Sequence, residues 1–362
     1  MKFNKDFCEK FDIKYPIFQA GMGKTMGTPT TPELVYEVSN AGGVGFLGAS
    51  GLTLEEIEKS VKEIKKNTDK PFGVGTLLPF DIAAQSESRD EVRDIIKQKY
   101  PEHFSYVKAL CEEYQIEFQE LPAKETVSRR VAEEQIDLIL DLEVPFISMG
   151  LGDVTYLVTR TKNTNTKTLG LVGNVKTAKI HNDAGIDIIV AQGYEAGGHT
   201  GKIANFALLP QVVDAVNVPV LAAGGIGDGR GIAASVAFGC VGAWIGTAFL
   251  FSKEVDIYSQ HQRQLIEGSS EDFVVSTTYT GKPSRIYKTE ILEKWNSQNL
   301  PTLPMPLQFV LFDDFVWSAE QSKKYELMNN PAGQISGMIN DCLLYTSPSP
   351  RDYAASRMPS SA

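Results

Sequence analysis

The chain has 362 residues, 42% of them hydrophobic, with 35 basic and 45 acidic side chains and a formal charge of −10. That length and composition suit a substantial core, in one large α/β domain or two smaller ones, and exclude a disordered or fibrous protein. An acidic balance with no Lys/Arg stripe interleaved with aromatics excludes a sequence-independent nucleic-acid surface, so any anionic ligand must be held by local geometry.

The opening segment, MKFNKDFCEKFDIKYPIFQ, interrupts its apolar residues with charges and offers no signal-peptide core. No run approaches the roughly 18 apolar residues of a membrane span. A cytoplasmic protein without a membrane partner is expected. Cys8, Cys111, Cys240 and Cys342 are far apart and show no metal-ligand spacing, so free thiols and no structural metal are expected.

Short apolar runs follow one another along the chain at residues 17–19, 44–47, 72–77, 146–149, 169–173, 186–191, 220–223 and 243–245. Helical patterns lie between them at 32–40, 54–67, 203–215 and 229–238. Alternation of this kind implies a parallel sheet, and eight repeats favour closure into a (β/α)₈ TIM barrel over an open doubly wound sheet. The rhythm breaks at about residues 81–142, where Glu, Lys, Arg and Gln suggest two or three solvated helices inserted after the third strand. This insertion is either a mobile cover at the catalytic end or a peripheral decoration. The alternation stops after Ser252. The expected organisation is a barrel over 1–260 and a C-terminal lobe over 261–341 packing at the barrel mouth. Residues 342–362 form a Ser/Pro/Arg-rich string without periodicity that resembles translated sequencing-adapter read-through. A non-native tail is expected there, with the natural chain continuing past Asp341.

The most informative segment is AQGYEAGGHTG, residues 191–201. It follows an apolar strand pattern and places His199 among glycines at a strand's carboxyl end, where barrel enzymes keep their chemistry. Glycines let the backbone approach a ligand, and an imidazole beside them can exchange a proton near neutral pH. The other histidines, His103, His181 and His261, lie in charged or helical contexts. Two further strand ends run into glycine, at Gly224-Gly225 and at Trp244-Ile245-Gly246-Thr247. In a barrel these are the seventh and eighth strands, whose loops commonly cradle a phosphate. The GxGxxG match at residues 43–48 follows a helix and contains the strand itself, so it is not a dinucleotide fingerprint.

Gln19-Ala20-Gly21-Met22-Gly23, SNAGGVG at 39–45, KPFGV at 70–74, the QGYEAGGHTG loop, AAGGI and IGTAF together resemble the nitronate monooxygenase, or 2-nitropropane dioxygenase-like, family over most of residues 13–251. The Gly281-Lys282-Pro283 and Gly333-Gln334 segments are similar to its C-terminal part. The resemblance implies a barrel that binds FMN non-covalently and oxidises alkyl nitronates, or nitroalkanes, with O₂ to a carbonyl compound and nitrite. It further implies that His199 is the catalytic base and that Ala20, Gly21, Met22 and Gly23 line the flavin ring near Gly75. Gln192, Gly197 and Gly198 would contact the flavin, while Gly224, Gly225, Trp244, Ile245, Gly246 and Thr247 would hold its phosphate. The chain departs from the family pattern at Gly21 and Gly75, where many members carry proline and asparagine. Glu195 is either a hydrogen-bonding support for the histidine loop or a solvated carboxylate. Two rival readings are an NAD(P)H-dependent FMN reductase of the enoyl-carrier-protein or quinone type and a non-catalytic flavin- or phosphate-ligand-binding barrel. Oligomeric state is not legible.

Overall fold

The computed structural model describes residues 4–23, 29–78, 88–122, 128–152 and 154–339. The string at 342–362 and part of the insertion therefore lie outside the described residues. Eight parallel strands run β1 (Ile17–Gln19), β2 (Gly45–Gly48), β3 (Phe72–Leu77), β4 (Phe146–Gly150), β5 (Lys167–Val172), β6 (Ile188–Gln192), β8 (Val220–Ala223) and β9 (Gly242–Ile245). A two-residue strand, β7 (Gly198–His199), interrupts the count inside the histidine loop. Sheet order is β1-β9-β8-β6-β5-β4-β3-β2.

A short seam between β1 and β2 brings the ends of this sheet together. Val44 N–H donates to the Ile17 carbonyl and Gln19 N–H to the Val44 carbonyl, both at 2.9 Å. The next rung would use the Gln19 carbonyl, but there the Gln19 side chain takes over and Oε1 accepts the Phe46 N–H at 2.9 Å. Gln19 is fully buried, so this substitution satisfies a donor that would otherwise be orphaned. The barrel is then a (β/α)₈ TIM-type fold.

The strands alternate as buried parallel strands must. Phe18, Phe46, Phe146 and Trp244 point inward and interlock, the Phe46 and Trp244 rings 4.6 Å apart edge to face. Gly73 makes room for this plug, since a Cβ there would lie 2.2 Å from Phe46 Cε1. Outward residues such as Ile189, Ala222 and Ile245 meet the surrounding helices. Those helices start where their caps dictate. Thr31 accepts from Leu34 N–H ahead of α2 (Pro32–Asn40), and Thr53 and Glu56 form a reciprocal capping box ahead of α3 (Leu54–Asn67).

The charge-rich stretch after β3 is not a set of solvated helices. Helices α4 (Arg89–Lys99) and α5 (Pro101–Glu113) bury Val92, Ile96, Val107, Leu110 and Cys111 in one apolar cluster with Trp295, Val310, Leu311 and Phe312 of α12 (Glu290–Ser297) and α13 (Leu307–Gln321). Arg93 forks onto Asp314 at 2.7 and 2.9 Å, with both side chains nearly sealed from solvent. The third helix, α6 (Arg129–Asp141), belongs to the barrel, where it packs against α3 and β3. High charge hid one apolar face whose partner lies some two hundred positions away.

Candidate active site

The parallel strands deliver Gln192, Gly224, Gly225, Gly246, Thr247 and the Ala20–Gly23 turn to one end, the carboxyl end of the barrel. His199 does not sit in a bare loop there. Strand β7 pairs antiparallel with β11 (Ser284–Tyr287), His199 opposite Ser284, and β11 pairs in turn with β10 (Phe273–Ser276). A C-terminal hairpin therefore supplies the backbone on which the histidine rests.

Four further contacts fix the loop. Gln192 Nε2–H donates to the His199 carbonyl at 2.6 Å, and Thr200 Oγ1–H donates to the Gly193 carbonyl at 3.1 Å. His199 Nε2 stands 3.3 Å from Thr280 Oγ1. Buried Arg285 donates through Nη2 to the Tyr194 carbonyl at 2.9 Å, with its guanidinium 4.5 Å from the centre of the Tyr194 ring. His199 is half-buried; burial first, and the positive charge of Lys282 second, push its pKa down to about 4. The imidazole is neutral at pH 7, the form that accepts a proton.

The other histidines are structural. His103 Nε2 contacts the Pro301 carbonyl at 2.8 Å and His261 Nε2 the Tyr325 carbonyl at 2.9 Å, while His181 is buried in α8 (Val175–Ala184) behind β5.

Glu195 is not a solvated carboxylate. Both of its carboxylate oxygens accept the Asn205 N–H at 3.1 Å, at the start of α9 (Asn205–Ala215). Asn205 Nδ2–H reaches the Ala223 carbonyl at 3.0 Å, so the histidine loop, α9 and the end of β8 are joined at one place. Glu195 also faces Gly225, where a Cβ would lie 3.3 Å from Glu195 Cβ. A side chain at Gly225 would therefore press on Glu195 first, and its φ of +67° already suits glycine.

Some of the expected cofactor-contacting residues have internal explanations. A Cβ on Gly197 would lie 2.5 Å from the Ala332 carbonyl carbon, so the C-terminal segment alone demands glycine there. That segment is pinned by Gln334 N–H to the Glu195 carbonyl at 3.0 Å and Gly333 N–H to Thr247 Oγ1 at 2.9 Å. Trp244 and Ile245 spend their side chains on the inner and outer packing layers, leaving backbone alone for the mouth. Gly21 and Gly75 are likewise explained from within, since a Cβ on the first would lie 2.9 Å from the Leu47 carbonyl oxygen and one on the second 2.9 Å from Ser148 Oγ, whereas Gly198 and Gly246 are different. A Cβ on Gly198 would meet nothing within 4 Å, and one on Gly246 would find only Ala20 and Met22 Sδ at 3.5 and 3.8 Å. Gly23 packs on Ser50, 2.6 Å from its carbonyl oxygen by the same measure. Thr280, Arg285 and Asn205 are not legible as site residues in the sequence, and Gly333 stands out there only within the Gly333-Gln334 segment. The only signal for the first two is the short Gly-Lys-Pro segment beside them.

A shallow cavity of about 360 Å³ lined by Asp12, Lys14, Asn40 and Lys70 lies at the opposite, amino-terminal end of the strands. In barrels that face carries stability rather than chemistry. Among the described residues no cluster of His, Cys, Asp and Glu could hold a metal ion, and no helix is long and apolar enough to cross a membrane.

A neutral histidine on a supported loop at this end of such a barrel narrows the relationship, and comparison with known proteins decides it. The family model described as nitronate monooxygenase matches residues 4–343. The chain belongs to the nitronate monooxygenase family. It is 33% identical over 322 residues to a probable nitronate monooxygenase of Staphylococcus saprophyticus, covering 85% of each chain. Among solved structures it is similar to a nitroalkane oxidase from Streptomyces ansochromogenes, with a TM-score of 0.77 and 28% identity over 91% of this chain and 92% of that one. It also resembles FabK from Thermotoga maritima, with a TM-score of 0.72 and 27% identity over 94% and 91%. The protein is thus an oxidoreductase of the nitronate monooxygenase family.

Proposed function

We propose that this protein oxidises alkyl nitronates, and nitroalkanes after deprotonation, with O₂ to a carbonyl compound and nitrite, using non-covalently bound FMN. The observation that carries the reading is His199, neutral at pH 7 and held at the carboxyl end of the barrel by Gln192, β11 and Thr280. Removing a proton α to a nitro group needs a positioned base, and His199 is the group at this mouth suited to it.

The residues present fit a flavin. Gly198 and Gly246 leave the mouth lined by backbone where side chains would project, so a flat ring could lie close against it. Ala20 to Gly23 and Gly75 would face the ring, together with Gln192 and Gly198. Gly224, Gly225, Gly246 and Thr247 would offer backbone N–H groups to the phosphate. Trp244, Ile245 and Gly197 would shape the site through packing. When bound, FMN supplies the electron acceptor that no side chain offers as readily.

The protein's own part is to bind and deprotonate. His199 takes the proton from the α-carbon, while Gln192 and the β7–β11 pairing hold the imidazole. We read residues 1–260 as the barrel and 261–339 as a lobe that joins α4 and α5 beside the mouth and closes over the histidine loop. The test is spectroscopic: the purified protein should be yellow with one FMN per chain, and an alkyl nitronate alone should bleach it anaerobically. Rapid bleaching by NADH without a response to nitronate would replace this reading with a reductase.

A further inference from the structure

Thr280 sits in the turn that leads into β11, and that turn is held rigidly. Gly281 N–H donates to the Thr277 carbonyl at 2.8 Å, and the neighbouring Tyr279 hydroxyl, buried, donates to the Leu327 carbonyl at 2.7 Å. The His199–Ser284 register brings the imidazole to the same place from the other side.

A threonine hydroxyl has one proton to give and two lone pairs that accept. The Thr280 proton has a partner in the Lys282 carbonyl at 3.0 Å, while the Lys282 N–H donates back to Thr280 Oγ1 at 3.3 Å. With its proton given to the Lys282 carbonyl, Oγ1 meets His199 Nε2 at 3.3 Å as an acceptor, the arrangement in which Nε2 carries the hydrogen. In a neutral imidazole the lone pair then lies on Nδ1. Among the described residues Nδ1 of His199 makes no hydrogen bond, and it is not one of the sealed, unpartnered polar atoms.

We propose that Thr280 is a positioning residue that sets the tautomer of His199, accepting Nε2–H and leaving Nδ1 as the atom that takes the substrate proton. The inference rests on His199 being the base. In the step itself the α-carbon's C–H bond breaks, an Nδ1–H bond forms, and the electron pair of the broken bond moves into the nitro group to give the nitronate.

The test is long-range ¹H–¹⁵N NMR of the flavin-loaded protein labelled with [¹⁵N]histidine, with the His199 signal assigned by its loss in His199→Asn. The wild-type ring should show protonated Nε2 and unprotonated Nδ1. Thr280→Val should convert this to a mixture of tautomers and lower kcat for a neutral nitroalkane roughly 10-fold more than kcat for a preformed nitronate, with KM little changed. Thr280→Ser should restore both. A wild-type ring protonated on Nδ1, or a Val variant with the wild-type tautomer and kcat ratio, overturns the proposal. The wild-type spectrum decides the contact without any variant having to fold. Should His199→Asn still deprotonate nitroalkanes, the base assignment fails and the proposed role of Nδ1 fails with it, whereas the spectrum still decides what Thr280 does to the ring.

Discussion

Gly197→Ala isolates the contact that closes the C-terminal segment over the histidine loop. An alanine Cβ would stand 2.5 and 2.6 Å from the carbonyl carbon and Cα of Ala332 and 2.7 Å from the Gly333 nitrogen, all backbone atoms that cannot rotate aside. Overpacking of this kind costs about 1–3 kcal/mol. Relief by moving the segment away would lengthen the hydrogen bonds from Gln334 to Glu195 and from Gly333 to Thr247. Each is worth about 0.5–1.5 kcal/mol, for a total of roughly 2–6 kcal/mol. Two neighbours in the argument serve as controls. Gly198→Ala meets nothing within 4 Å but must adopt φ +68°, which costs about 1–2 kcal/mol. Gly229→Ala also meets nothing within 4 Å and begins α10 (Gly229–Ala237) with ordinary φ, so it should be neutral or stabilise by up to about 1 kcal/mol. Urea and thermal unfolding should rank stability as Gly229→Ala at or above wild type, then Gly198→Ala, then Gly197→Ala, with Tm of the last lowered on the order of 10 °C. A Gly197 variant no less stable than the Gly198 variant would refute the claim that packing against Ala332 explains the glycine.

Removing one partner of the Arg93–Asp314 fork, as in Arg93→Ala, leaves a buried carboxylate with the Leu121 N–H but no countercharge in the fork, and should cost about 3–5 kcal/mol in unfolding experiments. Burial pushes the His181 pKa down to about 4, a contact with the Gly170 backbone opposing it more weakly. The unfolded chain then binds more protons, so the stability contributed by the neutral ring is complete above about pH 6.5 and is lost as pH falls toward 4. The stability difference between His181→Gln and wild type should shift in favour of the variant across that window, as measured by urea titration at several pH values. Glu195→Ala removes the acceptor at the start of α9 and should lower stability by about 0.5–2 kcal/mol while weakening flavin retention on dialysis.

The barrel was legible because a parallel strand buried on both faces leaves a short, apolar, glycine-bounded run, and all eight were placed within a few residues. The site was legible in part for the same reason, since strand ends carry their own punctuation and the QGYEAGGHTG loop follows one of them. What stayed hidden is non-local. The apolar face of α4 and α5 is diluted by charges and meets its partners in α12 and α13. Gly197 reads as a ligand-facing glycine until Ala332 is seen against it. Thr280 carries no pattern of its own, because its meaning comes from a two-residue strand that forms only when β11 arrives. Trp244 and Ile245 were assigned by motif, and alternation along β9 sends their side chains to opposite packing layers.

The central claim is the division of labour between His199 and the cofactor, and His199→Asn assayed with two forms of one substrate tests it most directly. With FMN retained, turnover of the neutral nitroalkane should fall about 10²–10⁴-fold, the usual contribution of a general base, while oxidation of the preformed nitronate should fall far less. An equal loss with both forms would mean that His199 stabilises the bound anion instead of removing the proton, and no loss with either would contradict the assignment of His199 altogether.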